Sequence, residues 1–298
     1  MSDELEFHAG GPVLVVGGYG TIGGEVARLA APHWPLLLTG RTPERGAALA
    51  EELGAEVRRW DLADPRPFAA KARAVISTVN DPADRVLRAA VEASIPYVDI
   101  TRWTSRLARA STPSTSWTAL GLDYEVVVDG ERREVMPLSD VRSVDVAGSR
   151  TKVASIDTPE QFTLPLTLGI DTAVTRIGFS TNASTSTLLA VKKLGFFRWG
   201  RGNRWRSLRR SLLYSPGKGG TAQIRIDVAG RNGKRTATII DPAGQAHLTA
   251  VGGLLGLRRV LGEDGGAAPV GVTFPELTPH PEDVVAALAE HDVTVDLS

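Results

Sequence analysis

Length and composition limit what this chain of 298 residues can be. Lysine plus arginine and aspartate plus glutamate both number 34, so the net charge is zero, which disfavours nucleic-acid binding over the whole surface. The hydrophobic fraction of 42% is typical of a folded chain, and the lack of cysteine excludes disulfides and cysteine nucleophiles. The acidic N-terminus has no signal pattern and no apolar run reaches the ~18 residues of a membrane span, so we expect a cytoplasmic protein.

Apolar runs alternate with helical stretches over the first hundred residues. The predicted strands are Val13–Val16, Leu36–Thr39, Glu56–Trp60, Ala74–Thr78 and Tyr97–Ile100. The predicted helices are Ile22–Ala30, Glu44–Leu53, a short one near Pro67–Ala72, and Ala83–Ala93, the last one capped by Asp81-Pro82. Runs this apolar are typical of parallel strands covered on both faces. The alternation predicts an α/β fold with a Rossmann-type, doubly wound parallel sheet.

The pattern changes after Arg102, where a Ser/Thr/Pro stretch at 111–117 is typical of a linker. Further strands are predicted at Tyr124–Val128, Arg132–Met136, Val144–Ala147, Val174–Phe179, Ala222–Val228 and Lys234–Ile240. Turns at Asp129-Gly130 and Arg231-Asn232-Gly233 indicate hairpins, and therefore a second, mixed α/β domain with a largely antiparallel sheet. The last predicted elements are a helix at Leu248–Leu261, a strand at Gly271–Phe274, a helix at Pro281–His291 and a strand at Val293–Leu297. We expect domains at 1–110 and 111–252, followed by a C-terminal segment at 253–298.

The strongest motif is a glycine-rich turn between the first strand and the first helix. Gly18, Gly20 and Gly23 form G-x-G-x-x-G there. Gly18 would allow the tight turn, Gly20 the approach of a pyrophosphate, and Gly23 close packing of the helix. The alternative is a turn without a ligand, but the strand–turn–helix context favours a dinucleotide on the helix N-terminus. The predicted contacts in this turn are Gly18, Tyr19, Gly20, Thr21, Ile22 and Gly23, with Tyr19 over the cofactor.

The end of the second predicted strand indicates which dinucleotide binds. An NAD-specific domain places an acidic residue about 20 residues after the glycines, where it accepts hydrogen bonds from the ribose. Here the chain has Gly40, Arg41 and Thr42, with no acid before Glu44. Arg41 can pair with a 2′-phosphate, with Thr42 and Arg45 beside it, or it can be a solvated loop residue. We predict NADP rather than NAD.

The next two predicted strands end in the remaining cofactor candidates. Asp61 and Leu62 would flank the adenine, and Asp61 is equally well explained as a turn cap. Thr78 and Asn80 follow the fourth strand, at the crevice where the nicotinamide would lie. The alternative for Asn80 is that it caps the next helix.

Five segments carry a family resemblance. GGYGTIGG, LTGRTPERGAALAEEL and AVISTVNDPADRVLRAAVEASIPYVDIT, within residues 11–101, resemble the saccharopine dehydrogenase-like oxidoreductases, as do GQAHLTAVGGLLGLRRVL and GVTFPE near the C-terminus. The resemblance implies a Rossmann NAD(P) domain, a mixed α/β substrate domain, and a chain end that returns towards the first domain. It also implies nicotinamide-dependent redox chemistry, in the best-known members at a carbon–nitrogen bond.

The chain departs from this family after Thr101. Family members continue with Gly-Glu and then a Gly-Trp-Pro-Gly-type loop and helix, whereas Arg102-Trp103 and the Ser/Thr/Pro stretch follow here. The missing segment would border the nicotinamide. This departure leaves open an alternative, a catalytically degenerate NADP-binding sensor or partner subunit.

Reduction of an imine or ketone requires a proton donor beside the cofactor. His247, in Gln245-Ala-His-Leu-Thr249, is the best catalytic candidate, although the commoner role for such a histidine is structural. Asp99, at the end of the fifth strand, is the second candidate and could equally orient a neighbouring loop. No metal-ligand spacing occurs, so we predict no metal site.

The segment 192–210, KKLGFFRWGRGNRWRSLRR, has eight basic residues, two Phe, two Trp and no acid. This composition suits an anionic membrane surface, an acyl carrier protein or an acidic substrate, or else a solvated helical face. The sequence thus predicts an NADP(H)-dependent oxidoreductase acting on an imine, ketone or activated alkene of a small or carrier-bound substrate. The substrate would bind in an apolar pocket between the domains, and a homodimer remains open.

Overall fold

The structure is a computed structural model that describes residues 3–101, 124–178, 182–193 and 220–298. The chain divides into two compact units. Unit 1 contains Met1–Thr101 and Asp241–Val295, and unit 2 contains Arg102–Ile240 and Asp296–Ser298. The linker predicted at 111–117 and most of the basic segment 192–210 lie outside the described residues.

A parallel sheet forms the centre of unit 1. The strands in the N-terminal part of unit 1 are β1 (Glu4–Phe7), β2 (Val13–Val16), β3 (Leu36–Gly40), β4 (Glu56–Arg59), β5 (Ala69–Ala72), β6 (Ala74–Ser77) and β7 (Tyr97–Asp99). Its helices are α1 (Thr21–Ala30), α2 (Ala47–Leu53) and α3 (Arg85–Glu92). Five strands pair in parallel in the order β4-β3-β2-β6-β7. The predicted α/β fold with a doubly wound sheet is confirmed.

The short helix predicted near Pro67–Ala72 is wrong. Residues Ala69–Ala72 form β5, which pairs in parallel with β1. Ala70 and Ala72 point inward while Ala69 and Lys71 are exposed, which is the two-residue period of a strand. Small helix-forming side chains concealed this period, and β1 lies far away in the sequence.

Helix α3 begins two residues later than predicted. Asp81 accepts a hydrogen bond from the backbone N–H of Val86 at 2.7 Å, so its carboxylate does cap the helix. The helix nevertheless begins at Arg85, because Asp84 takes a left-handed conformation with φ of 54°. The capping residue Asp81 therefore lies four residues before the first helical residue, rather than directly before it.

Unit 2 contains antiparallel pairs, which confirms a second domain of that kind. Its elements are β8 (Tyr124–Val128), β9 (Glu131–Val135), β10 (Arg142–Val146), β11 (Ser149–Ser155), α4 (Glu160–Leu168), β12 (Arg176–Ile177), α5 (Asn182–Lys193), β13 (Ala222–Gly230) and β14 (Gly233–Asp241). Strands β8 and β9 form the hairpin predicted at Asp129-Gly130. A second sheet has the antiparallel order β10-β11-β12.

The end of the chain adds α6 (Gln245–Leu261), α7 (Val284–Ala289) and β15 (Thr294–Leu297), and β15 joins the sheet β13-β14-β15. The strand predicted at Gly271–Phe274 is wrong. Val272 is 84% exposed and Val270 is fully exposed, so an extended segment there has no sheet to pair with. In the part of the chain that the structure describes, no helix has the length and apolar character of a membrane span.

Helix α6 packs on strands β6 and β7 through two glycines. A Cβ atom at Gly253 would lie 3.1 Å from the Ile76 side chain, and one at Gly256 would lie 3.2 Å from Val98. Three buried side chains of this helix join the core formed by β2, β3, β6 and α1; they are Ala250, Leu254 and Leu257. This helix therefore belongs to the same hydrophobic core as Val15, Val26 and Ile76.

Helices α1 and α6 run parallel to each other. Gly253 lies beside Val26 in the middle of α1, and Arg258, five residues later, reaches His33 just beyond the end of α1. Since α1 follows β2 directly, its N-terminus lies at the carboxyl edge of the sheet. The N-terminus of α6 therefore lies at that same edge, where parallel α/β sheets bind ligands.

Candidate functional site

The turn between β2 and α1 is built on Gly17. Its φ is 81°, and a Cβ atom added there would lie 2.8 Å from the hydroxyl of Thr78. The backbone N–H groups of Gly17 and Gly18 both donate to the carbonyl of Thr39, at 2.8 and 3.1 Å. The tight-turn role predicted for Gly18 therefore belongs to Gly17, because the chain turns at the residue directly after β2. Gly18 is instead close-packed, with its added Cβ 3.0 Å from Leu38.

Gly23 and Gly20 differ in what surrounds them. A Cβ atom on Gly23 would overlap the carbonyl of Gly17, so this glycine allows α1 to pack against the turn. Gly20 is exposed, and its added Cβ would meet only that same carbonyl, at 3.2 Å. Gly20 is therefore the part of the turn that a ligand can approach.

The first turn of α1 is prepared for an anion. The helix has no side-chain cap and no acidic residue in its first turn. The N–H groups of a first helical turn have no acceptor within the helix, and they lie at the positive end of the helix dipole. A pyrophosphate group fits this end, because Gly20 adds no Cβ between the backbone and the ligand.

Tyr19 joins this turn to the loop after β3. Its ring occupies the space that side chains at Gly40 and Gly46 would fill, since an added Cβ at either position would lie 2.5 Å from a Tyr19 ring or hydroxyl atom. The backbone N–H of Thr42 donates to the Tyr19 hydroxyl at 3.0 Å. Burial raises the pKa of Tyr19, so the hydroxyl stays protonated at neutral pH. In the structure, the contacts of Tyr19 hold the loop that carries Arg41. The position over the cofactor that we predicted for Tyr19 stays a prediction.

The loop after β3 presents two arginines without a carboxylate partner. The side chains of Arg41 and Arg45 are exposed and make no hydrogen bond or ion pair with the described residues. The acid that an NAD-specific site would have at the end of β3 is absent from the sequence, and Glu44 is also exposed. The two guanidinium groups could therefore hold a phosphate group at this loop.

The ends of β4 and β6 carry the other predicted cofactor residues. Asp61 accepts a hydrogen bond from the N–H of Ala63 at 3.1 Å, and this contact favours the turn-cap alternative. Leu62 packs against the core on the α3 side of the sheet. Thr78 donates its hydroxyl to the carbonyl of Val16 at 2.8 Å and thereby joins β6 to the glycine turn. Asn80 is exposed at the carboxyl edge.

Asp99 is held in a local hydrogen-bond network. One carboxylate oxygen accepts from both the N–H and the hydroxyl of Thr101 at 2.8 Å, and the other accepts from the Tyr97 hydroxyl at 2.8 Å. These contacts favour the alternative in which Asp99 orients the following loop.

His247 pairs with a carboxylate that the sequence analysis missed. Its Nδ1 lies 2.8 Å from Oδ2 of Asp241, which is completely buried, whereas the His247 side chain is 18% exposed. The pair stands at the N-terminus of α6, and therefore at the same edge of the sheet as the glycine turn. The available signal was the acid–Pro–Ala–Gly turn that begins six residues before the histidine.

Comparisons with known proteins support the fold. No protein-family model and no curated protein matches the chain. An apo histidine-tagged saccharopine dehydrogenase (L-Glu forming) from Saccharomyces cerevisiae is similar in structure, with a TM-score of 0.59 at 12% identity over 97% of this chain and 99% of that one. A putative betaketoacyl-ACP reductase aligns over 37% of this chain and 59% of its own, at 21% identity and a TM-score of 0.26. The first of these similarities shows a saccharopine dehydrogenase-like fold, as the sequence resemblance predicted.

Proposed function

We propose that the protein is an NADP(H)-dependent oxidoreductase. Its substrate class is an imine, a ketone or an activated alkene, borne on a small molecule or on a carrier. The observation that carries the proposal is the glycine turn at the uncapped N-terminus of α1, with Arg41 exposed at the end of the adjacent strand. The similarity of the fold to a saccharopine dehydrogenase is its second support.

Different residues of unit 1 would bind different groups of the coenzyme. The first-turn amides of α1 would hold the pyrophosphate, and Gly20 would allow its close approach. Arg41, with Arg45 beside it, would pair with the 2′-phosphate, because a guanidinium binds phosphate oxygens in a bidentate manner. Tyr19 would keep the Arg41 loop against the turn through the hydrogen bond from Thr42.

Reduction needs a hydride and a proton, and the chain supplies the proton. The nicotinamide provides the hydride to the substrate carbon when it is bound. His247 is the proton donor in this proposal, because it is partly exposed at the carboxyl edge of the sheet and anchored at its other nitrogen. Asp99, whose oxygens already accept three hydrogen bonds, supports the loop rather than the reaction.

The test separates binding from turnover. NADPH and NADH are titrated by calorimetry, and NADPH oxidation is then followed with a panel of imines, ketones and enones. We expect NADPH to bind more tightly than NADH, and at least one substrate class to be reduced. Failure of both coenzymes to bind at millimolar concentration would refute the proposal.

A non-catalytic NADP-binding protein is the second candidate function. The engagement of Asp99 by Tyr97 and Thr101 favours it, because one of the two predicted catalytic groups is thereby occupied. Tight NADPH binding without turnover of any substrate in the panel would support this candidate over the enzyme.

We also propose that the basic segment 192–210 contacts an anionic carrier, membrane surface or substrate, as its composition indicates. The variant that neutralises Arg204, Arg206, Arg209 and Arg210 tests it. We expect weaker substrate affinity and a shallower dependence on salt. Unchanged affinity and salt dependence would contradict this role.

A further inference from the structure

We infer that Asp241 is a positioning residue that fixes the His247 imidazole with Nδ1 towards the protein and Nε2 outward. The proton would then leave from Nε2. The inference rests on the proposed function for its chemistry, but the orientation of the ring is a separate, measurable property.

The carboxylate of Asp241 is itself held on both oxygens. Oδ1 accepts the N–H of Ala243 at 2.8 Å, and Oδ2 lies 2.8 Å from Nδ1 of His247. Asp241 has no solvent exposure, so the carboxylate has few alternative partners. An anion held in this manner can only accept hydrogen bonds, and it therefore selects the Nδ1–H form of the neutral ring.

The backbone between the two residues brings them together. Gly244 has φ of 100° and ψ of −178°, a combination that is essentially restricted to glycine. Its N–H donates to the carbonyl of Asp241 at 3.2 Å, and its own carbonyl accepts the N–H of Leu248 at 3.0 Å as the first bond of α6. The chain thus turns at Gly244 and returns His247 to Asp241 within one helical turn.

The opposite nitrogen of His247 is available for chemistry. Nε2 makes no hydrogen bond with the described residues. In the reduction, the hydride forms the new C–H bond, and the proton on Nε2 of the imidazolium passes to the substrate heteroatom or to the adjacent carbon of an alkene. The ring is left neutral, with its remaining proton on Nδ1 facing Asp241, and it regains a proton from water before the next turnover.

The first test measures the tautomer directly in the full chain. Long-range 1H–15N NMR of the histidine-labelled protein distinguishes Nδ1–H from Nε2–H in a neutral ring, and His247→Gln identifies the signal among the five histidines. We expect the Nδ1–H form in the unmodified protein and loss of that preference in Asp241→Asn. An Nε2–H ring in the unmodified protein would overturn the inference, whether or not the variant folds.

The second test is kinetic. With any substrate that NADPH reduces, we expect Asp241→Asn to lower kcat about tenfold or more, while KM and the NADPH dissociation constant stay within about twofold. Asp264→Asn is the matched control, since its carboxylate contacts Arg259 at the opposite end of α6, about 25 Å away for a helix of 17 residues. Equal kcat values for the two variants would overturn the positioning role.

The two failures are distinguishable. If the unmodified protein binds NADPH but reduces nothing, the proposed reaction and the proton-donor role both fail, while the tautomer measurement still decides the orientation of the ring. If turnover occurs but Asp241→Asn retains it, only the role of Asp241 fails.

Discussion

The first turns of α1 and α6 lie at the same edge of the sheet, and they are built differently. Both helices begin after a glycine, without a side-chain cap and without an acid in the first turn. The first turn of α1 offers little except backbone N–H groups, whereas that of α6 offers an imidazole anchored on a buried carboxylate. A main-chain site suits a ligand of fixed charge, and an imidazole suits the transfer of a proton. In the proposed reaction, these two similar helix ends would therefore have two different roles.

Adjacent glycines in α1 provide the largest expected effect. Gly23→Ala forces a Cβ into the carbonyl of Gly17. We expect the free energy of unfolding to fall by about 3 kcal/mol, and we expect NADPH binding to be lost. Gly24→Ala is the control, because its Cβ would meet Leu49 at an ordinary 3.6 Å. The control should gain up to about 1 kcal/mol, since alanine is the better helix former. Equal stabilities in thermal unfolding would break the comparison.

Gly244 gives the corresponding test on α6. Gly244→Ala should cost about 1 to 3 kcal/mol and displace His247, because alanine does not adopt this backbone conformation. NADPH affinity should be unchanged, since the glycine turn before α1 is intact. Gly252→Ala, at an exposed position of the same helix with no atom near its added Cβ, should be neutral or stabilising. A parallel loss of coenzyme binding in Gly244→Ala would show that the two helix ends are not independent.

Arg41 sharpens the comparison at the level of one ligand group. Arg41→Ala should weaken NADPH binding by about 1 kcal/mol or more and leave NADH binding almost unchanged, because only NADPH carries the 2′-phosphate. Calorimetric titration of both coenzymes measures the difference, and NADH is the internal control. Equal losses for both would refute the phosphate assignment.

Tyr19 gives the smallest expected effect. Tyr19→Phe removes the acceptor for the Thr42 N–H but keeps the ring over Gly40 and Gly46. We expect NADPH binding to weaken by about 0.5 to 1 kcal/mol as the Arg41 loop loosens. The removal of an exposed hydroxyl at Thr42, in Thr42→Val, keeps the backbone N–H and should have less effect. If Thr42→Val weakens NADPH binding more, the side chain of Thr42 rather than its N–H matters.

Local patterns predicted the sheet, and long-range contacts explain what they missed. The strand Val13–Val16 and the hairpin at Asp129-Gly130 were predicted correctly, because their apolar runs and turn residues are adjacent in sequence. Strand β5 was mistaken for a helix because its period becomes visible only with its distant partner β1.

The sequence predicted the parts of the candidate site that depend on backbone motifs. It did not predict the parts that depend on the hydrogen-bond partners of side chains. The glycine turn and Arg41 follow from spacing alone. The role of Gly17 needed its positive φ, and the roles of Asp99 and Asp241 needed the hydrogen bonds that their carboxylates accept. Sequence spacing gives the position of a charged group on a strand or helix, but it does not give the partner of that group.

The packing of α6 through Gly253 and Gly256 has a consequence for biosynthesis. Leu254 and Leu257 complete the core over β2 and β6, so a nascent chain that ends before Asp241 leaves that apolar surface open to solvent. The ribosome must translate residues 102–240 of unit 2 before unit 1 can finish folding. Expression of residues 1–110 alone should therefore yield an aggregation-prone fragment, and co-expression with a peptide that spans α6 should rescue it.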